Sequence, residues 1–315
     1  MGTYATVVVR GVRDAEGARA AETARAVFDH VEATMSNWSS TSELSRLNRE
    51  SGRAPYRIED PGLASCVEAA LRGAVETDGA FDPTVGPLMT LWGFRPKAPR
   101  VPAESEIVQA LDRVGAQRVS YDPATRTVTF ERDGIEIDLG GIAKGCALDE
   151  ARRKLGDVEA DLDLGGQWAF SGGGPRPTRI ADPFARDATL GEVLAERDDS
   201  IATSSDSENH FEIGGKSYGH VMDPRTGRPA ETDVVQATVL DPSAVTAEVL
   251  GKALMVGGSS RAASLLGAFP RARAILIVRE GDRLVALASP SLRGRLTLAP
   301  DGRFAADSPR MLPLP

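Results

Sequence analysis

The sequence predicts an α+β protein of two intimately packed subdomains with a mainly antiparallel sheet. Predicted strands outnumber predicted crossover helices, several strands are joined by short hairpins, and no composition shift marks a linker between separate domains. A chain of 315 residues is long enough for two domains, or for one domain with insertions. We therefore expect a single domain over residues 1–305, with an unknown boundary between its subdomains, and a loosely ordered tail over 306–315.

Helices are predicted where apolar residues recur at the spacing of one helix face. Residues 14–35 show this most clearly, because their apolar stripe continues to Met35. The Ser40-x-x-Glu43 pattern is typical of a capping box at the start of a short helix. A further stripe is formed by Leu63, Val67, Leu71 and Val75. The predicted helices cover 14–35, the segment from 40 to 48, 62–78 with Gly79 placed to end it, 104–115, the segment that follows 138–145, 243–256 and about 259–267.

Strands are predicted where apolar and polar residues alternate, and hairpins where a glycine-containing pair separates two such runs. The pairs Gly214-Gly215 and Gly281-Asp282 mark two hairpins. Residues 79–94 are predicted to form a structured loop, whereas 172–178 are predicted to form a flexible one. The predicted strands cover 4–10, 117–121, 126–131, 134–139, 160–165, the two arms of 211–222, 234–240, 273–279 and 283–288.

Charge and composition exclude several classes of protein. The chain has 37 Lys and Arg against 45 Asp and Glu, a formal net charge of −8, so we expect no nucleic-acid partner. No apolar run approaches the ~20 residues of a membrane-spanning helix. The N-terminus has neither a signal peptide nor a lipobox, so the predicted location is cytoplasmic, while a trimmed exported form stays open. Cys66 and Cys146 are predicted to be buried thiols.

The first candidate site is the segment DLGGIAKG at residues 138–145. A predicted strand ends here in a glycine-rich turn that opens a helix, and such a turn presents backbone N–H groups to an anion. Lys144 adds a positive charge, and the glycines let a ligand approach the backbone closely. The alternative is an ordinary tight turn, since the pattern is neither a Rossmann nor a P-loop motif.

The second candidate site is the segment GHVMDPRTG at residues 219–227. His220 is a side chain that can act as a base near neutral pH, and Asp223 lies three residues further on. Arg225 has the planar group that binds phosphate or carboxylate with two hydrogen bonds. The sequence Asp-Pro-Arg-Thr-Gly is also typical of a simple turn, which is the alternative interpretation.

Two further segments carry carboxylates whose positions are fixed by their neighbours. In GAFDPTVGPL, Asp82 precedes a proline and is therefore held extended; the alternative is a loop built only for shape. In TAEVLGKAL, Glu248 and Lys252 are four residues apart and share one helix face. The alternative for that pair is a surface ion pair worth ~0.3–0.5 kcal/mol.

Taken together and in this order, the motifs resemble those of the FAD:protein FMN transferase (ApbE-like) family. The resemblance covers about residues 1–288. The matching segments are MGT at 1–3, TMSNWSSTSELSRLN at 34–48, GAFDPTVGPLMTLWGF at 79–94, DLGGIAKG at 138–145, DLDLGG at 161–166, SIATSS at 200–205, GHVMDPRTG at 219–227 and VTAEVLGKAL at 245–254.

The resemblance implies an ApbE-like (T-fold-like) fold with FAD held between two subdomains, and a Mg²⁺-dependent transferase activity. The enzyme would move FMN from FAD onto a Thr or Ser hydroxyl of a target protein through a phosphoester bond and release AMP. Such targets carry a short Asp/Ser-Gly-x-Ser/Thr-Gly-Ala-Thr-like motif, which this chain lacks. The implied catalytic residue is His220, to which we add Asp223. The flavin-nucleotide positions are Met35, Ala80, Phe81, Asp82, Asp138 and Lys144, to which we add Arg225.

The implied metal site departs from the family pattern. The Mg²⁺ ligands would be the carbonyl of Gly141 and the side chains at 248 and 252, where the family has Asp and Thr and this chain has Glu248 and Lys252. A protonated ammonium has no lone pair to offer a metal. We therefore expect weakened or absent Mg²⁺ binding, with Lys252 paired to Glu248 and contacting the phosphates instead.

This departure leaves three hypotheses for the function. The leading one is a working flavin transferase. The second is an FAD-binding protein with weak or no transfer activity, and the third is an FAD pyrophosphatase that gives FMN and AMP with water as the acceptor.

Overall fold

The computed structural model describes residues 3–95, 97–205, 209–300, 304, 306 and 308–313. Within these residues the α-helices are α1 (Asp14–Met35), α2 (Glu43–Glu50), α3 (Pro61–Glu76), α4 (Gly86–Leu91), α5 (Glu104–Leu111), α6 (Ala143–Leu155), α7 (Ala244–Gly257) and α8 (Ala262–Gly267). In the same part of the chain, no helix is long and apolar enough to cross a membrane.

The strands form one large sheet and several small ones. They are β1 (Ala5–Val9), β2 (Tyr56–Arg57), β3 (Val119–Asp122), β4 (Thr127–Phe130), β5 (Ala160–Leu164), β6 (Gln167–Ser171), β7 (Arg176–Asp182), β8 (Ala185–Ala195), β9 (Ser200–Ser205), β10 (His210–Ile213), β11 (Lys216–Gly219), β12 (Met222–Asp223), β13 (Arg228–Pro229), β14 (Val234–Asp241), β15 (Arg273–Glu280), β16 (Arg283–Ala288), β17 (Leu296–Leu298) and β18 (Arg310–Met311).

The large sheet has eight strands in the order β1-β5-β6-β9-β14-β15-β16-β18. Neighbouring strands are antiparallel except for the parallel pair β16 and β18. Alternate residues of β14 and β15 enter different apolar clusters, as the two-residue period of a strand requires. Val239 and Leu276 join a core with the helices, whereas Leu240 and Ile275 join a second core with β7, β8 and β17. The predicted α+β class with a mainly antiparallel sheet is confirmed.

The predicted strand over 134–139 is wrong, and the reason lies in its backbone partners. Ile137 exchanges both of its backbone hydrogen bonds with the side-chain amide of Asn48, at 2.8 and 2.9 Å. Asp138 donates its N–H to the carbonyl of Pro83 at 2.7 Å. The alternating apolar side chains of this segment are buried as expected, but a side chain and a loop replace the neighbouring strand.

Other local predictions are also wrong. Helix α2 is capped by Ser42, whose side chain accepts the N–H of Ser45, rather than by Ser40. Val75 is 80% exposed, so the predicted apolar stripe of α3 ends before it. Residues 176–178 of the predicted flexible loop belong to β7, and β8 has no counterpart among the predicted strands.

The loosely ordered tail predicted over 306–315 is contradicted at Arg310–Met311. These two residues form β18 at the edge of the large sheet, and Leu312 is buried. The expectation of a single domain over 1–305 stays a prediction.

The two cysteines are not the free thiols that the sequence analysis predicted. Cys66 of α3 and Cys146 of α6 form a disulfide, with 6.0 Å between their Cα atoms. Sequence spacing gave no hint of this pair, because 80 residues separate the two positions and helix packing alone brings them together.

Candidate functional site

A cavity of about 360 Å³ lies where α1, the loop after α3, the turn before α6 and the end of α7 meet. Pockets of this size are typical of small-molecule sites. Most of the sequence-predicted site residues line it: Met35, Ala80, Phe81, Asp82, Asp138, Gly141, Lys144, His220 and Lys252. Asp223, Arg225 and Glu248 do not. The cavity therefore has walls from segments that are more than 200 residues apart in the chain.

One part of the cavity wall is apolar and aromatic. Met35 ends α1 and is buried, and the ring of the buried Phe81 lies close to Gly73 of α3. Trp38 also lines the cavity but, unlike these two buried residues, it is 61% exposed. Next to Trp38, the side-chain oxygen Oδ1 of Asn37 is buried and has no hydrogen-bond partner among the described residues. This wall offers flat apolar surface together with one free acceptor, which suits an aromatic ring system that carries N–H groups.

The carboxylate of Asp82 lines the cavity but is engaged in holding its own loop. Its Oδ1 accepts hydrogen bonds from the backbone and the hydroxyl of Thr84 at 2.7 and 2.5 Å, and Oδ2 accepts from the N–H of Ala116 at 2.8 Å. Burial raises the pKa of Asp82, while these hydrogen bonds lower it. The Asp82 carboxylate therefore fits the alternative interpretation, in which this loop is built for its shape.

Asp138 is held in place by an arginine that the sequence analysis did not single out. Its Oδ1 accepts the N–H of Gly140 at 2.8 Å, and its Oδ2 pairs with Arg95 at 3.3 Å. Arg95 also bonds Glu136 and is only 13% exposed. Arg95 directly follows the aromatic segment 79–94. A charged residue beside so apolar a segment was the sequence feature that could have indicated its role.

Helices α6 and α7 cap each other at their N-termini. Asp149 of α6 accepts hydrogen bonds from the hydroxyl of Ser243 at 2.8 Å and the N–H of Ala244 at 2.9 Å. In return, Glu248 of α7 accepts the N–H of Gly145 at 2.8 Å through Oε2. Carboxylates at helix N-termini are stabilising because free N–H groups and the helix dipole favour negative charge there. Glu248 is fully buried, so its charge belongs to this helix junction.

The three positions predicted for a metal come together at this junction. The ammonium of Lys252 lies 3.6 Å from Oε1 of Glu248. Its aliphatic stem lies against Gly141, since a Cβ built on that glycine would sit 3.3 Å from Cδ and Cε of Lys252. Only 17% of the Lys252 side chain is exposed, and it faces the cavity. The junction therefore presents a cation where the family resemblance implies a metal.

His220 reaches the same cavity from the segment that precedes β12. Its Nδ1 is buried and has no hydrogen-bond partner in the described part of the chain. Burial lowers the pKa of His220 to about 4, with a further contribution from the charge of Lys252, while a hydrogen bond to the Asn209 backbone acts in the opposite direction. The imidazole is therefore neutral at pH 7 and has a lone pair available to accept a proton.

Asp223 and Arg225 are paired with each other rather than with the cavity. Arg225 donates from Nε and Nη2 to the two carboxylate oxygens of Asp223, both at 2.9 Å, and its backbone N–H donates at 2.9 Å as well. The carbonyl of Gly227 accepts the indole N–H of Trp92 at 2.8 Å. In this segment the simple-turn alternative fits Asp223 and Arg225, whereas His220 fits the chemical interpretation.

Comparison with known proteins gives one consistent result. The model of the ApbE family matches residues 1–276. The FAD:protein FMN transferase of Vibrio cholerae is 33% identical over 276 residues, which are 85% of this chain and 81% of that protein. The chain belongs to the ApbE family. The FAD:protein FMN transferase of Salmonella typhimurium is 30% identical over 93% of this chain and 86% of that protein. The crystal structure of the ApbE protein of Thermotoga maritima superposes with a TM-score of 0.81 at 29% identity, covering 93% of this chain and 96% of that one.

Membership in the ApbE family confirms the resemblance but leaves the individual residue roles as predictions. Within the family motifs, the structure separates side chains that line the cavity from side chains that shape it. Asn37, Trp38 and Arg95 also line the cavity but were not among the predicted site residues. Asn37 and Trp38 lie in the matching segment 34–48, where a tryptophan in an otherwise polar stretch was a usable clue.

Proposed function

We propose that this chain transfers the FMN part of FAD onto a Ser or Thr hydroxyl of a target protein and releases AMP. The observation that carries the proposal is the buried Nδ1 of His220, which has no partner among the described residues, in a cavity shared with Lys144 and Lys252. A proton acceptor beside two cations suits the attack of a neutral hydroxyl on an anionic diphosphate. The Vibrio and Salmonella relatives are FAD:protein FMN transferases, which supports the transfer of FMN from FAD to a protein.

The proposed reaction is a displacement at the diphosphate of FAD, with His220 as the proton acceptor. The hydroxyl oxygen of the acceptor attacks the phosphorus on the FMN side of the diphosphate. The bond from that phosphorus to the bridging oxygen breaks, and AMP leaves with the oxygen and the electron pair. The hydroxyl proton passes to Nδ1 of His220. Because the diphosphate is negative, it opposes the effect of Lys252 and is expected to raise the pKa of His220, which strengthens the base once FAD is bound.

The two lysines have separate tasks in this scheme. Lys144 occupies the second position of α6, where its charge adds to the positive end of the helix dipole. Lys252 lines the same cavity with its ammonium beside Glu248. Charge that develops on the phosphate oxygens during transfer is stabilised by such fixed cations without reorganisation.

The test of the proposal follows two products at once. The protein is incubated with FAD and an acceptor domain that carries the family acceptor motif, and AMP release and acceptor mass are measured. We expect AMP together with an acceptor heavier by one FMN less water, and no mass gain when the acceptor Ser or Thr is replaced by Ala. AMP with unmodified acceptor would instead identify a pyrophosphatase, and FAD binding without either product would identify a binding protein.

Location in the cell stays a prediction. The cytoplasmic expectation rested on the N-terminal residues, whereas the Cys66–Cys146 disulfide is typical of oxidising compartments and supports the exported alternative. Alkylation of free thiols under denaturing conditions, directly after lysis of the source cells, distinguishes the two, because Cys66 is buried in the folded protein. Both cysteines are modified if the protein is held in a reducing compartment, and neither is modified before reduction if it is exported.

A further inference from the structure

We propose that the ammonium group of Lys252 is a built-in cation that replaces a divalent metal in binding the FAD diphosphate, so that this chain binds and uses FAD without Mg²⁺. The inference deepens the proposed function and rests on it, because it concerns how the same cavity holds the same substrate.

The donor groups at this position do not suit a metal. Mg²⁺ requires several oxygen ligands in near-octahedral geometry at about 2.0–2.1 Å. Lys252 contributes no lone pair while protonated, and Oε2 of Glu248 already accepts the N–H of Gly145. Among the residues that the structure describes, no three His, Cys, Asp or Glu side chains converge as a metal-binding group. Besides the carbonyl of Gly141, a metal here would therefore have one carboxylate oxygen of Glu248 and an adjacent ammonium that repels it.

The same atoms suit an ammonium well. Glu248 is fully buried, and an ionised carboxylate in such a place requires a partner charge. Its Oε1 has no hydrogen bond in the described part of the chain, and the ammonium of Lys252 lies 3.6 Å away. The lysine stem is held against Gly141, where any side chain at that residue would press on it. Lys252 is thus fixed from both ends, with its charge at the cavity surface.

The cations that line the cavity are consistent with the same assignment. A diphosphate diester carries two negative charges, and Lys144 and Lys252 supply two positive charges that line the cavity. Arg95 is committed to Glu136 and Asp138. Among the described residues that line the cavity, Lys144 and Lys252 are therefore the cations placed to face the diphosphate, and Lys252 shares its charge between Glu248 and the phosphates.

The decisive experiment measures binding rather than turnover. Purified protein is dialysed against Mn²⁺, as a probe for divalent metals, with and without FAD, and the bound metal is compared with that held by FAD alone. Separately, quenching of flavin fluorescence gives the FAD dissociation constant in EDTA and in Mg²⁺. We expect no Mn²⁺ beyond the FAD control, and dissociation constants that agree within about threefold in the two buffers. Stoichiometric Mn²⁺, or FAD binding that EDTA weakens by more than that factor, overturns the inference.

Variants sharpen the assignment to Lys252. Lys252→Met removes the charge and keeps the apolar stem, so FAD affinity is expected to fall at least about tenfold, with no recovery on addition of Mg²⁺. Lys252→Arg keeps a positive charge and is expected to retain most of the affinity. Lys154→Met, at the exposed end of α6, is the matched control and is expected to bind FAD like the unmodified protein. An affinity loss no larger than that of the control contradicts the inference.

A double variant tests whether a metal requirement returns when Lys252 is removed. The double variant Glu248→Asp with Lys252→Thr provides the side chains that the family resemblance implies for Mg²⁺ binding. We expect this variant, together with FAD, to bind Mn²⁺ and to need a divalent metal for FAD affinity. If it folds, as judged by circular dichroism, and binds FAD equally in EDTA and Mg²⁺, Lys252 is not what sets the metal requirement. None of these readouts depends on FMN transfer, so failure of the inference is distinguishable from failure of the proposed function.

Discussion

Two loop motifs of this protein look equally chemical in the sequence but contribute very differently to the cavity. The turn over 138–145 brings Asp138, Gly141 and Lys144 to the cavity wall. The segment over 219–227 contributes His220, whereas Asp223 and Arg225 close on each other three residues later. Lys144 of the first motif thus faces the ligand space, whereas Arg225 of the second motif is paired with Asp223.

The difference follows from how each motif satisfies its backbone. The turn at 138–145 opens a helix whose N–H at Gly145 is capped by Glu248 of α7, outside the motif, and Asp138 accepts the N–H of Gly140 within it. The turn after His220 has no helix to follow, and the carboxylate of Asp223 must accept N–H groups of its own loop. A motif therefore specifies which residues are needed together, but backbone hydrogen bonding decides which of them remain available for a ligand.

The largest expected effect is on the rate of FMN transfer when His220 of the second motif is replaced. His220→Gln keeps a polar side chain but removes the proton acceptor, so the rate of FMN transfer is expected to fall by ~10²–10⁴-fold. FAD affinity should change little, because glutamine is neutral like the imidazole it replaces. Single-turnover transfer measured at saturating FAD separates the two quantities. A variant that transfers FMN at the original rate would remove His220 from the mechanism.

A somewhat smaller effect is expected from the charge of the first motif. Lys144→Met removes the cation at the start of α6, and FAD affinity is expected to weaken by ~10–100-fold, as for the loss of a charged hydrogen bond. Flavin fluorescence titration measures the change. Lys154→Met lies on the same helix and serves as the control, since its ion pair with Glu150 is on the surface. Equal affinities of the two variants would show that Lys144 does not contact the substrate.

The paired residues of the second motif are expected to matter for stability rather than for rate. Arg225 is 47% exposed, and its loss in Arg225→Met should lower the free energy of unfolding by ~1 kcal/mol or less. FAD affinity and transfer rate should stay within about threefold of their original values. Urea unfolding and the transfer assay provide the two numbers. A large loss of FAD affinity at unchanged stability would restore Arg225 to the nucleotide-binding residues.

The smallest expected effect is a change in the pKa of His220 when the charge of Lys252 is removed. Burial is the main cause and the charge of Lys252 the second cause of the pKa of about 4 at His220. Lys252→Met should therefore raise the pKa of His220, but keep it below the ordinary value of about 6.5 because burial persists. NMR titration of the imidazole signals measures it, and His30 and His210 provide internal controls. A lower pKa in the variant would contradict the geometry described for Lys252.

Much of this architecture could be predicted from sequence because it depends on local periodicity. The stripe of α1 and the hairpin of β15 and β16 follow from side-chain spacing alone, and both appear where they were expected. The segment over 134–139 has the same kind of periodicity but pairs with Asn48, which is distant in sequence. Patterns within a segment predict which side chains are buried; they do not predict which partner satisfies the backbone.

The candidate site shows the same division. Lys144 and His220 could be selected because their residue types suit the chemistry, and the structure places both at the cavity. The capping role of Glu248 could not be foreseen, since it depends on two helices that meet across 103 residues of sequence. Arg95 was not predicted for a related reason. Its role is to orient Asp138, which depends on a partner 43 residues away in sequence.

The disulfide between Cys66 and Cys146 also has a consequence for the integrity of the chain. It closes a covalent ring that contains the loop after α3 and the whole turn before α6, and so two of the segments that form the cavity. A protease that cuts once inside this ring linearises it without releasing a fragment. The nicked protein would migrate as one species on a non-reducing gel and separate into two pieces only after reduction. Both cavity segments would thus stay on one molecule after damage that would otherwise divide them.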